Sequence, residues 1–246
     1  MWDNPRLLNA VAGALTALAL LVFAVGAMQM LLRSTLFPLR EIELGGELAH
    51  TTSTEVEQAV RGRIDGNFFA VDLAQPRAAL ERLPWVRRVQ VRRVWPDRLE
   101  VTLEEHVPLA RWGDLGLVNV HGERFAGRSD AALPLFAGPA GSEGEVTRRY
   151  RSFARLLAPL GTPLEALLLS PRHAWQARLG GGLALELGRD SAQDPVDRRL
   201  ERFVAVHPQT LAKMQHKPAP EGAPNTHVDL RYPNGFALRV PDLKGG

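Results

Sequence analysis

The side chains in this sequence that could do chemistry are its histidines, a pair of glutamates, a few serines and a triple glycine. A zinc-type site needs imidazole, thiolate or carboxylate groups converging on one ion at about 2 Å. The seven histidines contain no closely spaced pair. His207 and His216 fall across a helix end and read as surface or loop residues. Glu104 and Glu105 adjoin. On a strand, neighbours point to opposite faces, so these carboxylates cannot act as a pair. Gly180–Gly182 could cradle phosphate, but such a loop opens a helix. Here an alternating run follows, and a hairpin turn accounts for the glycines. Ser170 and Ser191 are lone serines in turn contexts. No G-x-S-x-G, H-E-x-x-H or phosphate-loop pattern occurs. The chain has no cysteine, which excludes disulfides and thiolate metal sites. The expectation is no catalytic residue, no metal ligand, no cofactor and no small-molecule substrate.

Nucleic acid is the next candidate. The stretch RVQVRRVWPDRLEVTLEE (88–105) combines arginines with a tryptophan, and the 246-residue chain carries a net charge of +3. From Trp85 to Glu105, however, five arginines face four acids, a net of +1. Phosphate binding scales with the charges neutralised, so this is too little. The stretch also alternates. Val89 and Val91 face one way and Arg88, Gln90 and Arg92 the other, and Leu99, Val101 and Leu103 oppose Glu100, Thr102 and Glu104 in the same manner. It reads as a hairpin turning at Pro96-Asp97 with a solvated polar face. Two registers keep the faces consistent: Arg92 opposite Glu100, or Arg92 opposite Thr102. Arg93 falls on the apolar side in both. No nucleic-acid partner is expected.

The elements around these residues set the class. Leu7 to Leu32 carries no charged residue. As a helix it would run about 39 Å, against a bilayer core of about 30 Å. It exceeds the apolar run of a signal peptide, so a retained anchor is expected. The arginines flanking it do not choose an orientation. Strand 40–44, a helix opened by the Thr52/Glu55 capping box, a second opened by Asp72/Gln75, and strands 86–94 and 99–105 give the order β-α-α-β-β. Beyond them the chain is strand-rich, with helices predicted at 145–157 and 195–206. The latter sets Val196, Leu200, Phe203 and Val204 on one side. Around Gly180–Gly182, Leu179 should pair with Leu183, Ala177 with Leu185 and Trp175 with Leu187. Residues 217–224 read as a loop. The class is α+β.

The terminal hairpin, VDLRYPNGFALRV (228–240), allows two turns. A two-residue Asn-Gly loop would put Tyr232 and Phe236 on opposite faces. A type I turn at Pro233-Asn234, with Gly235 as a left-handed bulge, sets Tyr232 opposite Phe236. It also pairs Leu230 with Leu238, Val228 with Val240 and Asp229 with Arg239, and this register is the expected one. The last strand then lies where an unpaired edge can occur.

Four segments carry a resemblance: VWPDRLEVTLEEHVPLARW (94–112), WQARLGGGLALELGR (175–189), RLERFVAVHP (199–208) and VDLRYPNGFALRV (228–240). Taken in order, they resemble the FtsQ/DivIB family of bacterial cell-division proteins. The resemblance implies a short cytoplasmic N-terminus (1–6), a transmembrane helix (7–32), a POTRA domain (38–106) and a strand-rich β domain (107–242) with two or more helices. It implies an inner-membrane protein with its bulk in the periplasm, enriched at the division site. The implied role is a non-enzymatic divisome scaffold, in complex with FtsB and FtsL and touching other division proteins. In the family the terminal strand receives a partner segment by strand addition. Matched by motif, Tyr232 and Gly235 fall on partner-contact positions, and Asn234, Phe236, Ala237, Leu238 and Val240 complete that strand and its turn. Arg172 and Arg231 match positions near an acidic part of the partner. Val240 stands where some members have tryptophan. Two other readings are an outer-membrane assembly or secretion component, which would need a β-barrel this chain has no room for, and an anchored cell-wall enzyme.

Overall fold

The computed structural model describes residues 5–33, 38–62, 64, 67–69, 71–207, 226–232 and 235–239. The chain divides into two compact units, Met1–Glu105 and His106–Gly246. The first begins with helix α1 (Pro5–Arg33). Its segment Leu8–Met30 is long and apolar enough to cross a membrane, and none of it is buried in the protein.

The rest of the first unit is β1 (Glu41–Gly45), α2 (Ser53–Val60), α3 (Ala74–Leu80), β2 (Val86–Val94) and β3 (Arg98–Glu105). The sheet order is β1-β3-β2, with β1 parallel to β3 and β2 antiparallel to it. Thr52 caps α2 through the expected capping box with Glu55. The second box does not form. Leu73 is the N-cap of α3, and Asp72 accepts the Ala74 N–H at 2.9 Å instead. Asp72 thereby makes a local turn, and the helix starts one residue later than a box would set it. Val56, Val60, Leu80, Val89, Val101 and Leu103 share one core beneath the helices. Each fully buried aliphatic side chain there contributes about 1.5–3 kcal/mol.

The β2–β3 ladder pairs Arg92 with Glu100 and Arg88 with Glu104, which settles the open register. Arg92 Nη2 lies 2.6 Å from the Glu100 carboxylate, and Glu104 takes Arg87 at 2.6 Å and Arg88 at 4.0 Å. Three arginines of this sheet, Arg87, Arg88 and Arg92, thus face glutamates of the neighbouring strand. Arg93 also has its explanation. Its Nε donates to the Phe68 carbonyl at 2.9 Å and its Nη2 to that of Val71 at 2.7 Å, tying the loop before α3 to the hairpin tip.

Glu105 closes the unit. Its carboxylate, only 7% exposed, accepts the backbone N–H groups of Ala49, His50 and Thr51 at 3.0, 3.1 and 2.6 Å. The His50 ring, 3.3 Å from the same carboxylate, stacks on Trp85. Burial pushes the Glu105 carboxyl up, but the bonds from Thr51, Ala49 and His50 outweigh it and hold the group below its ordinary 4.5.

The second unit is a nine-stranded sheet: β4 (Pro108–Trp112), β5 (Leu117–Asn119), β6 (Arg124–Phe125), β7 (Leu135–Ala137), β8 (Leu164–Leu169), β9 (Ala174–Leu179), β10 (Leu183–Arg189), β11 (His227–Asp229) and β12 (Ala237–Arg239). Their order across the sheet is β12-β11-β10-β9-β8-β7-β4-β5-β6. Helices α4 (Glu143–Leu157) and α5 (Val196–Val206) complete it. Val146, Phe153 and Leu157 of α4 and Val196, Leu200 and Phe203 of α5 share a core with Phe136, Leu167, Trp175 and Leu185. The predicted loop 217–224 lies outside the described residues.

A carboxyl whose value is lowered by folding stabilises the fold above its unfolded value, and that contribution is lost as pH falls through the folded one. Amide-exchange protection of Ala49–Thr51 should therefore fall as pH drops below about 4.5. In Glu105→Gln the protection should be reduced at neutral pH already, at a cost of roughly 1.5–3 kcal/mol for hydrogen bonds to a charged acceptor.

Candidate partner-binding edge

Of the predicted site residues, Arg172 and Arg231 lie at one end of the large sheet. β10 pairs antiparallel with β9 and parallel with β11. The C-terminal ends of β10 and β11 and the turn entering β9 therefore lie at the same end. Arg172 stands in that turn, exposed, in the tight loop where His173 N–H donates to the Ser170 carbonyl and Ala174 N–H to Ser170 Oγ. Arg231 follows β11. Between them lies Gly188 of β10, opposite Trp175.

The expected hairpin around Gly180–Gly182 pairs Leu179 with Leu183 and Ala177 with Leu185. At Trp175 it departs from expectation, since the partner is Gly188 and not Leu187. A bulge after Glu186 causes this, with Gly188 at φ +74°. Its cause is a buried cation. Arg199 of α5, 8% exposed, donates through Nη1 to the carbonyls of both Leu187 and Arg189, the latter at 2.9 Å. In a regular strand these two carbonyls would both be available for ladder bonds, but the bulge turns them to one guanidinium. Nε and Nη2 bind Asp194, at 2.7 Å to its carboxylate and 2.8 Å to its carbonyl. The Arg199 hydrogen bond, foremost, holds the Asp194 carboxyl below its ordinary range. Arg199 was legible: it lies three residues after Val196 and four before Phe203, on the apolar stripe.

Gly188 also makes room. A Cβ there would lie 2.8 Å from Arg231 Cγ, so the Arg231 side chain crosses the glycine. Arg231 grips Asp229, with Nε at 2.9 Å and Nη2 at 2.6 Å, while its own N–H donates to Asp229 Oδ1 at 3.0 Å. That pair holds the Asp229 carboxyl low and the Arg231 guanidinium firmly protonated. Among the described residues Arg172 makes no hydrogen bond or ion pair, so within them the corner presents one unpaired cation and one shared with a carboxylate.

The terminal hairpin has a different register from the expected one. β11 and β12 pair His227 with Arg239, Val228 with Leu238 and Asp229 with Ala237. The expected pairs Leu230–Leu238 and Asp229–Arg239 do not form. Asp229 is engaged locally instead, by the backbone N–H and guanidinium of Arg231, while the Leu230 N–H stays bonded to the Glu186 carbonyl of β10 at 2.9 Å. The slip is two residues, so the faces are kept. Phe236 and Leu238 pack against the core, with Phe236 edge-on to Phe203 at 5.8 Å, while Gly235 and Ala237 are exposed. Tyr232 is 54% exposed. Asn234, Val240 and the Pro233-Asn234 turn lie outside the described residues. β12 is the outermost strand, with β11 on one side and no strand on the other among the described residues.

Gly188→Ala should destabilise the second unit by about 1–2 kcal/mol, the cost of a side chain in the left-handed region. It should also let the Asp229 carboxyl rise toward its ordinary 3.8 as Arg231 is pushed off. Urea denaturation and a carboxyl NMR titration would measure the two effects.

The family described as "POTRA domain, FtsQ-type" matches residues 37–106, and "Cell division protein FtsQ/DivIB, C-terminal" matches residues 110–231. Among curated relatives, "Cell division protein FtsQ" of Burkholderia pseudomallei is 45% identical over 99% of this chain and 96% of the relative. That of Nitrosospira multiformis is 42% identical over 97% and 99%, and that of Bordetella pertussis 37% identical over 99% and 94%. The chain belongs to the FtsQ/DivIB family of cell division proteins.

Proposed function

We propose that this chain is a non-enzymatic scaffold of the division machinery that binds FtsB and FtsL, with the partner segment adding as a strand to the outer edge of β12. The observation that supports this is the terminal position of β12 in an otherwise continuous sheet. An outer strand carries backbone N–H and C=O groups on its free side, and a partner strand satisfies them. Phe236 and Leu238 fix the strand from the core side, leaving its edge and the exposed Ala237, Gly235 and Tyr232 for contact. Arg172, at the same end of the sheet as Arg231, supplies positive charge for an acidic flank of the partner. Residues 1–6 are then cytoplasmic, 7–32 span the inner membrane, and 38–106 and 107–242 form the periplasmic domains at the division site.

Strand addition depends on backbone donors, so proline tests it. Successive residues of a paired strand direct their N–H groups to opposite sides. Of Ala237→Pro and Leu238→Pro, one removes a donor to β11 and the other a donor on the free edge. The free-edge variant should keep the fold, read by circular dichroism, and lose FtsB binding at least tenfold in a titration. Unchanged affinity in a folded free-edge variant would sink the mechanism. Arg172→Glu should weaken binding further as salt is lowered, because like charges then meet with less screening.

A further inference from the structure

Outside α1, Trp95 is the most exposed large apolar side chain among the described residues, at 72%. It sits at the tip between β2 and β3. Phe69, in the loop before α3, is 41% exposed. Both tips are stitched to the segment that follows α1. The Arg40 N–H donates to the Asp97 carbonyl at 3.0 Å, and Pro38 bridges Asn67. Arg93 joins the two tips to each other through the Phe68 and Val71 carbonyls. Residues 38–40, 67–69 with Val71, and the hairpin tip therefore make one pole of the first unit.

The chain itself keeps this pole near the end of α1. That helix ends at Arg33, five residues before Pro38. Five extended residues reach at most about 18 Å. The apolar segment Leu8–Met30 has 23 residues and, as helix, runs about 35 Å, more than the hydrocarbon core of about 30 Å. The end of α1 then falls in the headgroup layer, and the pole cannot stray far from it. A tether this short gives an effective concentration in the millimolar range, so a weak contact suffices.

We infer that Trp95 and Phe69 dock this pole on the headgroup layer of the bilayer that α1 crosses, an inference that rests on α1 being a membrane span. Indole suits that layer, because its apolar body enters the acyl boundary while its N–H finds polar groups. The surrounding charges are nearly balanced. Arg40 lies 3.9 Å from Asp97, and Arg92 is bonded to Glu100, while Arg93 faces only carbonyls. The docking is therefore led by the aromatic rings, and it persists on a zwitterionic bilayer.

The test uses the full-length chain with Trp2→Phe, reconstituted in phosphatidylcholine vesicles and in vesicles that include phosphatidylglycerol. Each is compared with the same lipids brominated near the headgroup end of the acyl chains. Bromine should quench the tryptophan emission in both compositions, and most of the quenched intensity should be missing from a Trp95→Phe variant. Phe69→Ser should reduce the quenching. Equal quenching with and without Trp95, in protein that still co-floats with the vesicles, overturns the docking and leaves α1 as a span. Quenching confined to the phosphatidylglycerol vesicles overturns the aromatic-led contact. Protein that fails to float overturns both readings.

Discussion

Arg199 carries a charge into the core of the second unit, and the corner around Gly188 depends on where that charge goes. A lone buried guanidinium would cost several kcal/mol. Here it is met by the Asp194 carboxylate and by the carbonyls of Leu187, Arg189 and Asp194. Two of those carbonyls can face one group only because β10 bulges after Glu186. The bulge puts Gly188 at a positive φ, the missing Cβ lets Arg231 cross the strand, and Arg231 holds Asp229. The pairing of β11 with β12 stops at Asp229, where that grip sits. One buried cation is thus linked through two strands to the point where the terminal pairing ends.

The first unit uses the same device with different polarity. Arg93 satisfies two loop carbonyls, and Glu105 satisfies three consecutive backbone N–H groups. In each case a long charged side chain does for an irregular segment what a ladder does for a strand. Buried backbone groups must be paired, and loops without a neighbouring strand need side chains for it.

Much of this was legible beforehand because it rests on short-range pattern. Alternation placed β2, β3, β9 and β10, the Thr52/Glu55 box opened α2, and the apolar stripe of α5 pointed at Phe203 and Leu200. Charge counting read the stretch 88–105 as nearly balanced, and Arg92 and Arg87 do meet Glu100 and Glu104. The register of the terminal hairpin was not legible. A slip of two residues keeps every side chain on its face, so period 2 cannot detect it. The choice fell to Asp229, which has Arg231 and Arg239 equally available in sequence and takes the nearer one. The Gly188 bulge was hidden for a related reason: its cause lies in α5, not in the strand.

Glu105 and His106 are neighbours in the chain, yet each is fastened inside its own unit. Glu105 is locked by residues 49–51, and His106 stacks on Phe125 and contacts Asn119 at 2.8 Å. No slack separates these fixtures. A pull on the second unit would therefore arrive at the C-terminal end of β3, while the chain from α1 enters at the N-terminal end of β1. Those two strands run parallel over five paired residues. Tension applied to opposite ends of parallel strands shears them, loading all their hydrogen bonds at once where an antiparallel hairpin would unzip bond by bond. The first unit therefore resists best a pull that draws its two ends apart.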